Sequence, residues 1–238
     1  MTYSWLMLPD VRVLRRQNPP TTAFMRLRIA EAARNGKTIR PARIWISYGR
    51  ISPTLKRAVL VTEDAGFWDH DGVDYAEIRA ALETGWTRGG IVRGASTITQ
   101  QLAKNLYLSP SRNPYRKLVE LMIARRLEAE LPKARILELY LNLIEWGNNI
   151  WGAEAAARTY FGRSAADLST EQAALLAGAI INPRVYNPAR PNARLLRRQQ
   201  MIMARLGSVT PPAPAPPIAD PPGTSTTLPE PFPEPKPE

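Results

Sequence analysis

Hydrophobic residues recur along most of the chain at intervals of three and four positions, which is the period of an amphipathic helix. Signals for helix ends accompany them, since Ser169 and Gln172 form a capping box and Pro132 stops the helix before it. Residues 45–48 are expected to form a short extended connector. We therefore predict a mainly α-helical protein with helices over 22–35, 52–66, 75–86, 96–106, 115–131, 134–143, 153–160, 169–182 and 192–206.

Two segments are expected to lie outside the central helical core, one a helix and one a loop. The helix over 22–35 is interpreted as a peripheral one that packs a rough apolar stripe on the core, formed by Phe24, Leu27, Ile29 and Ala30. Residues 87–94 hold three glycines and two arginines, so we expect a flexible, basic loop there.

Proline content divides the chain near residue 207. Residues 211–237 hold 12 of the 23 prolines and few apolar side chains, so this tail is expected to be disordered. The predicted organisation is an N-terminal extension over 1–21, one folded domain over 22–207 and a proline-rich tail over 208–238. The sequence lacks a run of about 18 apolar residues, so no membrane-anchoring helix is expected within it.

The charge of the predicted domain limits the classes of partner. The net charge is +11, and residues 208–238 carry four acidic residues against one lysine, which leaves +14 for residues 1–207. A domain this basic is expected to bind an anionic partner, and nucleic acid, a membrane surface and a diphosphate substrate all fit. The sequence has no cysteine, which excludes disulfides and thiolate metal sites.

Acidic residues follow an apolar helix in the first of four candidate motifs. Glu63 and Asp64 stand where the predicted helix ends, with Phe67 and Trp68 just after them. A carboxylate beside aromatic rings tends to have a raised pKa, which suits a general acid or base. The alternative is a solvated acid pair at a helix end. His70, the single histidine, is interpreted as a hydrogen-bonded structural residue.

Three further motifs follow in the chain. In the second, Ser96, Gln100 and Lys104 share one helix face at a spacing of four residues, which offers hydrogen-bonding groups and then a cation to a sugar diphosphate. In the third, Arg116 and Glu120 form a surface ion pair, or else Glu120 contributes to a mixed-charge diphosphate pocket with Lys104, Arg112 and Lys117. The fourth, over 136–157, is interpreted as mostly scaffold because of its small and apolar residues.

Together these motifs resemble the peptidoglycan glycosyltransferase family, glycosyltransferase family 51, in its monofunctional form. The resemblance covers about residues 19–205. It rests on the order and spacing of four blocks: Glu63-Asp64 with Phe67, His70 and Gly72; Gly94 with Ser96-Thr97-Ile98-Thr99-Gln100-Gln101; Arg116-Lys117 with Glu120; and Ile136-Leu137-Glu138 with Tyr140, Leu141 and Asn142.

The resemblance implies a fold, a reaction and a location. The expected fold is a lysozyme-like helical lobe with a smaller membrane-facing lobe. The expected reaction polymerises lipid II into β-1,4 glycan strands with inversion and releases undecaprenyl pyrophosphate. The implied location is the periplasmic side of the bacterial inner membrane, although the anchor helix of the family is absent from this chain. Implied partners are lipid II, the glycan strand, the membrane surface, and penicillin-binding and cell-division proteins, but not nucleic acid.

The resemblance also implies roles for individual residues. Glu63 would be the general base, and Glu120 would support the donor diphosphate as a second catalytic glutamate. No cofactor is required by this comparison, and magnesium at Glu120 is optional. Binding of the substrate is carried over to Asp64, Ser96, Thr97, Gln100, Gln101, Lys104, Asn105, Arg112, Arg116 and Lys117.

Two other functions are compatible with parts of the sequence. A lytic transglycosylase or lysozyme-like hydrolase also uses one glutamate in a helical fold. The expected cluster of cations argues against it, because glycan cleavage releases no diphosphate. A basic nucleic-acid-binding protein fits the charge. Glu63 and Glu120 beside the cations argue against that interpretation, because they would repel a phosphate backbone.

Overall fold

The computed structural model describes residues 8–75, 79, 96–109 and 113–209, and it contains eight α-helices in these ranges. Short 3-10 helices cover Arg12–Arg15, Tyr48–Arg50 and Leu206–Ser208. The α-helices are α1 (Ala23–Arg34), α2 (Pro53–Glu63), α3 (Ile98–Tyr107), α4 (Pro114–Glu130), α5 (Lys133–Leu143), α6 (Ala153–Phe161), α7 (Thr170–Ala179) and α8 (Ala193–Arg205).

Local sequence signals explain where these helices begin and end. The Ser52 side chain accepts a hydrogen bond from the backbone of Thr54 and begins α2, with Pro53 in the first turn. The predicted capping box of Ser169 and Gln172 is present at α7. Helix α4 ends before Pro132, as predicted. The bounds therefore agree closely with the helices predicted within the described residues.

Helix α5 forms the centre of the molecule. Every residue from Ala134 to Leu143 is buried, which is the pattern of a helix surrounded by other elements. Helix α3 packs between α4 and α5, while α7 packs against α2 on one side and α8 on the other. Since α2 ends at Glu63 beside α3, this packing places a helix end, and its carboxylate, at the junction of the two groups of helices.

A small sheet lies next to the end of α5. Strands β1 (Ala42–Arg43), β2 (Glu145–Gly147) and β3 (Ile150–Trp151) pair in the order β1-β3-β2, with β1 parallel and β2 antiparallel to β3. Buried Asn142 on α5 fixes the extended segment before α2, because its amide exchanges hydrogen bonds with the backbone N–H and C=O of Ile46, both at 2.9 Å. The predicted scaffold role of residues 136–157 is consistent with this burial.

The packed core extends beyond the predicted domain limits of 22 and 207. Val11 and Leu14 belong to the core at one end, and Val209 at the other, because these short apolar side chains close gaps beneath the helices. The stripe predicted on α1 is wrong in part, since Ile29 and Ala30 are exposed and Met25 is the buried residue of this helix. Helix α1 contacts the core along one side, and Met25 is the residue buried on that side.

Some predictions fall on residues outside the described ranges. These are most of the helix over 75–86, the basic loop over 87–94 and the proline-rich tail from 210 onward. The smaller membrane-facing lobe likewise stays a prediction. Among the described residues, no helix combines the length and the hydropathy that crossing a bilayer requires.

Candidate active site

Glu63 is the last residue of α2 and lies half-buried against α3. Its Oε2 atom accepts a hydrogen bond from Nε2 of Gln101 at 3.0 Å. The fully buried Tyr140 donates its hydroxyl to Oε1 of the same amide at 3.0 Å, and Nε2 also lies 3.3 Å from the Ser96 carbonyl oxygen. These contacts orient the amide so that its N–H faces the carboxylate. Burial raises the pKa of Glu63, while the Gln101 hydrogen bond acts in the opposite direction.

Asp64 is not a solvated partner of Glu63 but a buried structural residue. Its Oδ2 accepts from the backbone N–H of Ile98 at 2.8 Å, and its Oδ1 lies 2.9 Å from Nε2 of His70. The N–H of Gly72 donates to Nδ1 of His70 at 3.1 Å, so Nε2 carries the hydrogen that Asp64 accepts. Burial would lower the pKa of His70, but Asp64 outweighs it and raises that pKa. The predicted structural role of His70 agrees with this geometry.

A network of charges joins α3 to α4. Nζ of Lys117 lies 3.2 Å from Oγ of Ser96, 2.8 Å from Oε1 of Gln100 and 2.5 Å from Oε1 of Glu120. The other oxygen of Glu120 accepts from Arg116 at 2.6 Å. Arg116 and Glu120 form the predicted ion pair, although Glu120 is buried, and Glu120 also holds Lys117 beside the polar face of α3. The diphosphate pocket stays a prediction.

Lys104 links this network to Glu63. Burial lowers the pKa of Lys104, with Glu120 acting in the opposite direction and with Glu63 among the charges that influence it. Its ammonium group lies 5.9 Å from the centre of the Phe24 ring. Within the described residues no carboxylate forms an ion pair with it. Lys104 is therefore a partly buried cation that an anionic ligand would stabilise.

A cleft of about 290 Å³ opens at Gln101 and Lys104. Polar groups and apolar surfaces alternate along it, which is suited to sugar rings with their hydroxyl edges and apolar faces. Besides those two residues, its walls include Phe24, Arg28, Asn105, Glu145, Ile180 and Asn182. The cleft thus begins at the side chain that hydrogen-bonds Glu63 and continues past a cation.

Comparison with known proteins identifies the family. The family model described as Transglycosylase matches residues 32–207. The chain belongs to this transglycosylase family. Curated relatives named biosynthetic peptidoglycan transglycosylase include a protein of Methylobacillus flagellatus, 48% identical over 79% of this chain and 82% of the relative. Another, of Chromobacterium violaceum, is 44% identical over 88% of this chain and 92% of the relative. The family resemblance and the lysozyme-like helical fold expected from the sequence are confirmed.

The structure brings most of the predicted site residues of this family member together. Gln101, Lys104 and Asn105 line the cleft, and Glu63 accepts the hydrogen bond of Gln101. The network between α3 and α4 brings together Ser96, Arg116, Lys117 and Glu120. Arg112 lies outside the described residues. The prediction that Asp64, Thr97 and Gln100 line the cleft needs correction. All three are buried, because each fills its hydrogen-bonding capacity inside the protein: Thr97 and Gln100 both donate to the Gly72 carbonyl, at 2.8 and 3.0 Å.

Sequence analysis missed several residues of the site. Tyr140 was assigned to the scaffold, although it contacts Gln101. Arg28 and Glu145, paired at 2.9 Å, line the cleft from α1 and β2, so the interpretation of α1 as only a peripheral helix is incomplete. Arg28 and Glu145 are 117 residues apart in the sequence, so no local pattern predicts their contact. For Tyr140, the available signal is a hydroxyl between the apolar residues Leu139 and Leu141.

The residues around Glu120 do not fit a magnesium site. Lys117 and Arg116 each hold one of its oxygens, and these two cations would repel a third positive charge. Asp64, His70 and Asp74 form a separate group with ligand atoms within 4.8 Å of one another. In that group Asp64 already accepts hydrogen bonds on both oxygens. We therefore derive no step through a metal, and the absence of a cofactor requirement stays a prediction.

Proposed function

We propose that this chain polymerises lipid II, the disaccharide-pentapeptide carried on undecaprenyl pyrophosphate, into β-1,4 glycan strands. The family assignment supports glycosyl transfer in peptidoglycan synthesis. The observation that carries the mechanism is that Gln101, which hydrogen-bonds half-buried Glu63, lines the same cleft as Lys104, a cation without an ion-pair partner among the described residues. A base next to an anion-binding cation is what this reaction needs.

Glu63 acts as the general base in this proposal. Its carboxylate accepts the proton of the acceptor 4-hydroxyl while that oxygen attacks the anomeric carbon of the donor. The bond from this carbon to the diphosphate breaks, and its electron pair leaves with the diphosphate, so the configuration inverts from α to β. Because burial raises the pKa of Glu63, the carboxylate is a stronger base than an exposed glutamate.

Lys104 and Lys117 stabilise the leaving diphosphate. Lys104 faces the cleft, and Lys117 is held in place by Ser96, Gln100 and Glu120. Such preorganised cations act where negative charge develops and need no rearrangement during the reaction. Glu120 contacts Lys117 and Arg116 rather than Glu63, so its proposed role is to position Lys117, and Arg116 shares this role.

The same geometry favours transfer over hydrolysis. A hydrolase must protonate a sugar oxygen as it leaves, which requires a carboxylic acid near the base. Arg116 and Lys117 each occupy one oxygen of Glu120, so this carboxylate is not free to face a sugar oxygen. A diphosphate leaves without protonation and uses those cations instead. The site is therefore built for a diphosphate donor.

The location and the partners belong to the same proposal. The relatives are named for peptidoglycan biosynthesis, which supports lipid II and a growing glycan strand as ligands. We place the domain at the periplasmic face of the bacterial inner membrane, where a lipid-linked substrate is embedded. Penicillin-binding and cell-division proteins are the partners that this location suggests.

A two-substrate assay tests the proposed function. The purified chain is incubated either with lipid II or with isolated, uncrosslinked glycan strands. We expect polymer and free undecaprenyl pyrophosphate from the first substrate and no cleavage of the second. Cleavage of glycan strands without polymerisation of lipid II would show the hydrolase instead.

A further inference from the structure

A row of three arginines on α8 faces a groove that the mechanism above does not use. Arg194, Arg197 and Arg198 follow the helical spacing of three and four residues, and with Met201 they line a groove of about 560 Å³. Helix α8 packs on α7 and α2, whereas Lys117 and Glu120 belong to α4, which packs on α3 and α5. The arginines and the diphosphate-binding cations therefore approach Glu63 from different groups of helices.

The positive charge of this groove is not compensated within the described part of the chain. Arg194 and Arg197 are exposed and form no hydrogen bond or ion pair with any residue in that part. Like charges at this spacing weaken a helix. The row therefore carries an electrostatic cost that a bound anion would remove.

The inner end of the groove lies beside the chain segment that forms one wall of the cleft, because Arg198 contacts Gly178 and the cleft residues Ile180 and Asn182 follow directly. Arg198 is half-buried, and its Nε donates to the Gly178 carbonyl at 3.0 Å. This hydrogen bond holds the Nε atom of the guanidinium group in place. Its charge is among those that act on Glu63. Gly178 lets α8 pack closely on α7, because a Cβ there would lie 3.1 Å from Leu195 Cδ1. The groove therefore borders the wall of the cleft through Arg198.

We propose that Arg194, Arg197 and Arg198 form an oxyanion subsite for the substrate molecule on the α8 side of Glu63. This inference rests on the proposed polymerisation of lipid II, in which two anionic molecules must flank the base at once. Guanidinium groups bind planar carboxylates and diphosphates through paired hydrogen bonds. Two sources of the oxyanion share this chemistry, namely the carboxylates of the stem peptide and the second diphosphate.

Steady-state kinetics of the double variant Arg194→Gln/Arg197→Gln test the subsite. Both side chains are exposed and unpaired among the described residues, so the fold should tolerate their loss. The double variant Arg163→Gln/Arg205→Gln, with one change after α6 and one on α8, is the matched control that removes two positive charges elsewhere. We expect the KM for lipid II to rise about tenfold in Arg194→Gln/Arg197→Gln, from the loss of charge-assisted hydrogen bonds, and to stay unchanged in the control.

A second substrate separates the two sources. Lipid II with its stem-peptide carboxylates converted to amides is compared with ordinary lipid II in wild type and double variant. A rise in KM confined to the ordinary substrate assigns the subsite to the peptide, and an equal rise for both assigns it to the diphosphate. A KM equal to that of the control for both substrates would overturn the subsite alone. Absence of polymer from the wild-type chain would instead overturn the proposed function and this inference with it.

Discussion

Replacing Tyr140 by Phe tests how the base is positioned. The substitution removes one hydroxyl from a fully buried ring and leaves Oε1 of Gln101 without its donor at 3.0 Å. An unsatisfied buried acceptor costs about 1–3 kcal/mol, so the free energy of unfolding should fall by that amount. If poorer orientation of Glu63 raises the activation free energy by about 1 kcal/mol, kcat/KM falls roughly fivefold at neutral pH.

The pH dependence distinguishes positioning from a purely structural effect. A freed Gln101 amide donates less to Glu63, and that hydrogen bond holds down a pKa that burial raises. In Tyr140→Phe the pKa of Glu63 should therefore rise further. A base must be deprotonated to act, so the acid limb of the kcat/KM profile should move to higher pH.

The assay measures initial rates of lipid II polymerisation across the acidic range, with thermal unfolding of the same samples. Tyr160→Phe is the matched control, since its hydroxyl contacts the Trp146 carbonyl at 3.3 Å and touches no residue of the site. An unshifted acid limb together with lower stability would refute the positioning role and leave Tyr140 as a packing residue.

Three further predictions follow from single contacts. Lys117→Ala should lower kcat about 10²–10³-fold, because the leaving diphosphate loses a preorganised cation; an unchanged rate would remove Lys117 from the site. Gly152→Ala should cost about 1–3 kcal/mol of unfolding free energy, because φ is +83° and the new Cβ would lie 2.8 Å from the Asn142 carbonyl oxygen; chemical denaturation measures it. Glu63→Gln should be more stable than wild type above the usual glutamate pKa of 4.5. The raised folded-state pKa means that the contribution of Glu63 to stability is lost as pH rises, whereas Gln does not titrate; a stability difference independent of pH would contradict this.

Most of the fold follows from the sequence because its signals are local. Helix bounds are set by the serine and proline at the start of α2, by the capping box of α7 and by Pro132 after α4. The predicted and observed bounds of these helices therefore agree within a few residues. Burial on α1 was less predictable. It depends on which neighbours reach the helix, and Ile29 is exposed although the pattern suggested an inward position.

The candidate site was predictable where its residues share one helix. Gln100 on α3 and Ser96 just before this helix both contact Lys117, in line with the shared face that their spacing predicts. The contacts of Tyr140 with Gln101 and of Arg28 with Glu145 were not predictable, since they join distant segments and arise only from the packing of the helices and β2. The same packing decides that Asp64 is buried while its neighbour Glu63 is only half-buried and contacts Gln101 of the cleft wall.

The most direct test of the account is polymerisation of lipid II by Glu63→Gln. The amide can still accept the hydrogen bond from Gln101, so the fold and substrate binding should persist, but it cannot take up a proton. The account predicts that release of undecaprenyl pyrophosphate slows by about 10²–10⁴-fold while lipid II still binds. Near-normal turnover in this variant would contradict the assignment of Glu63 as the base.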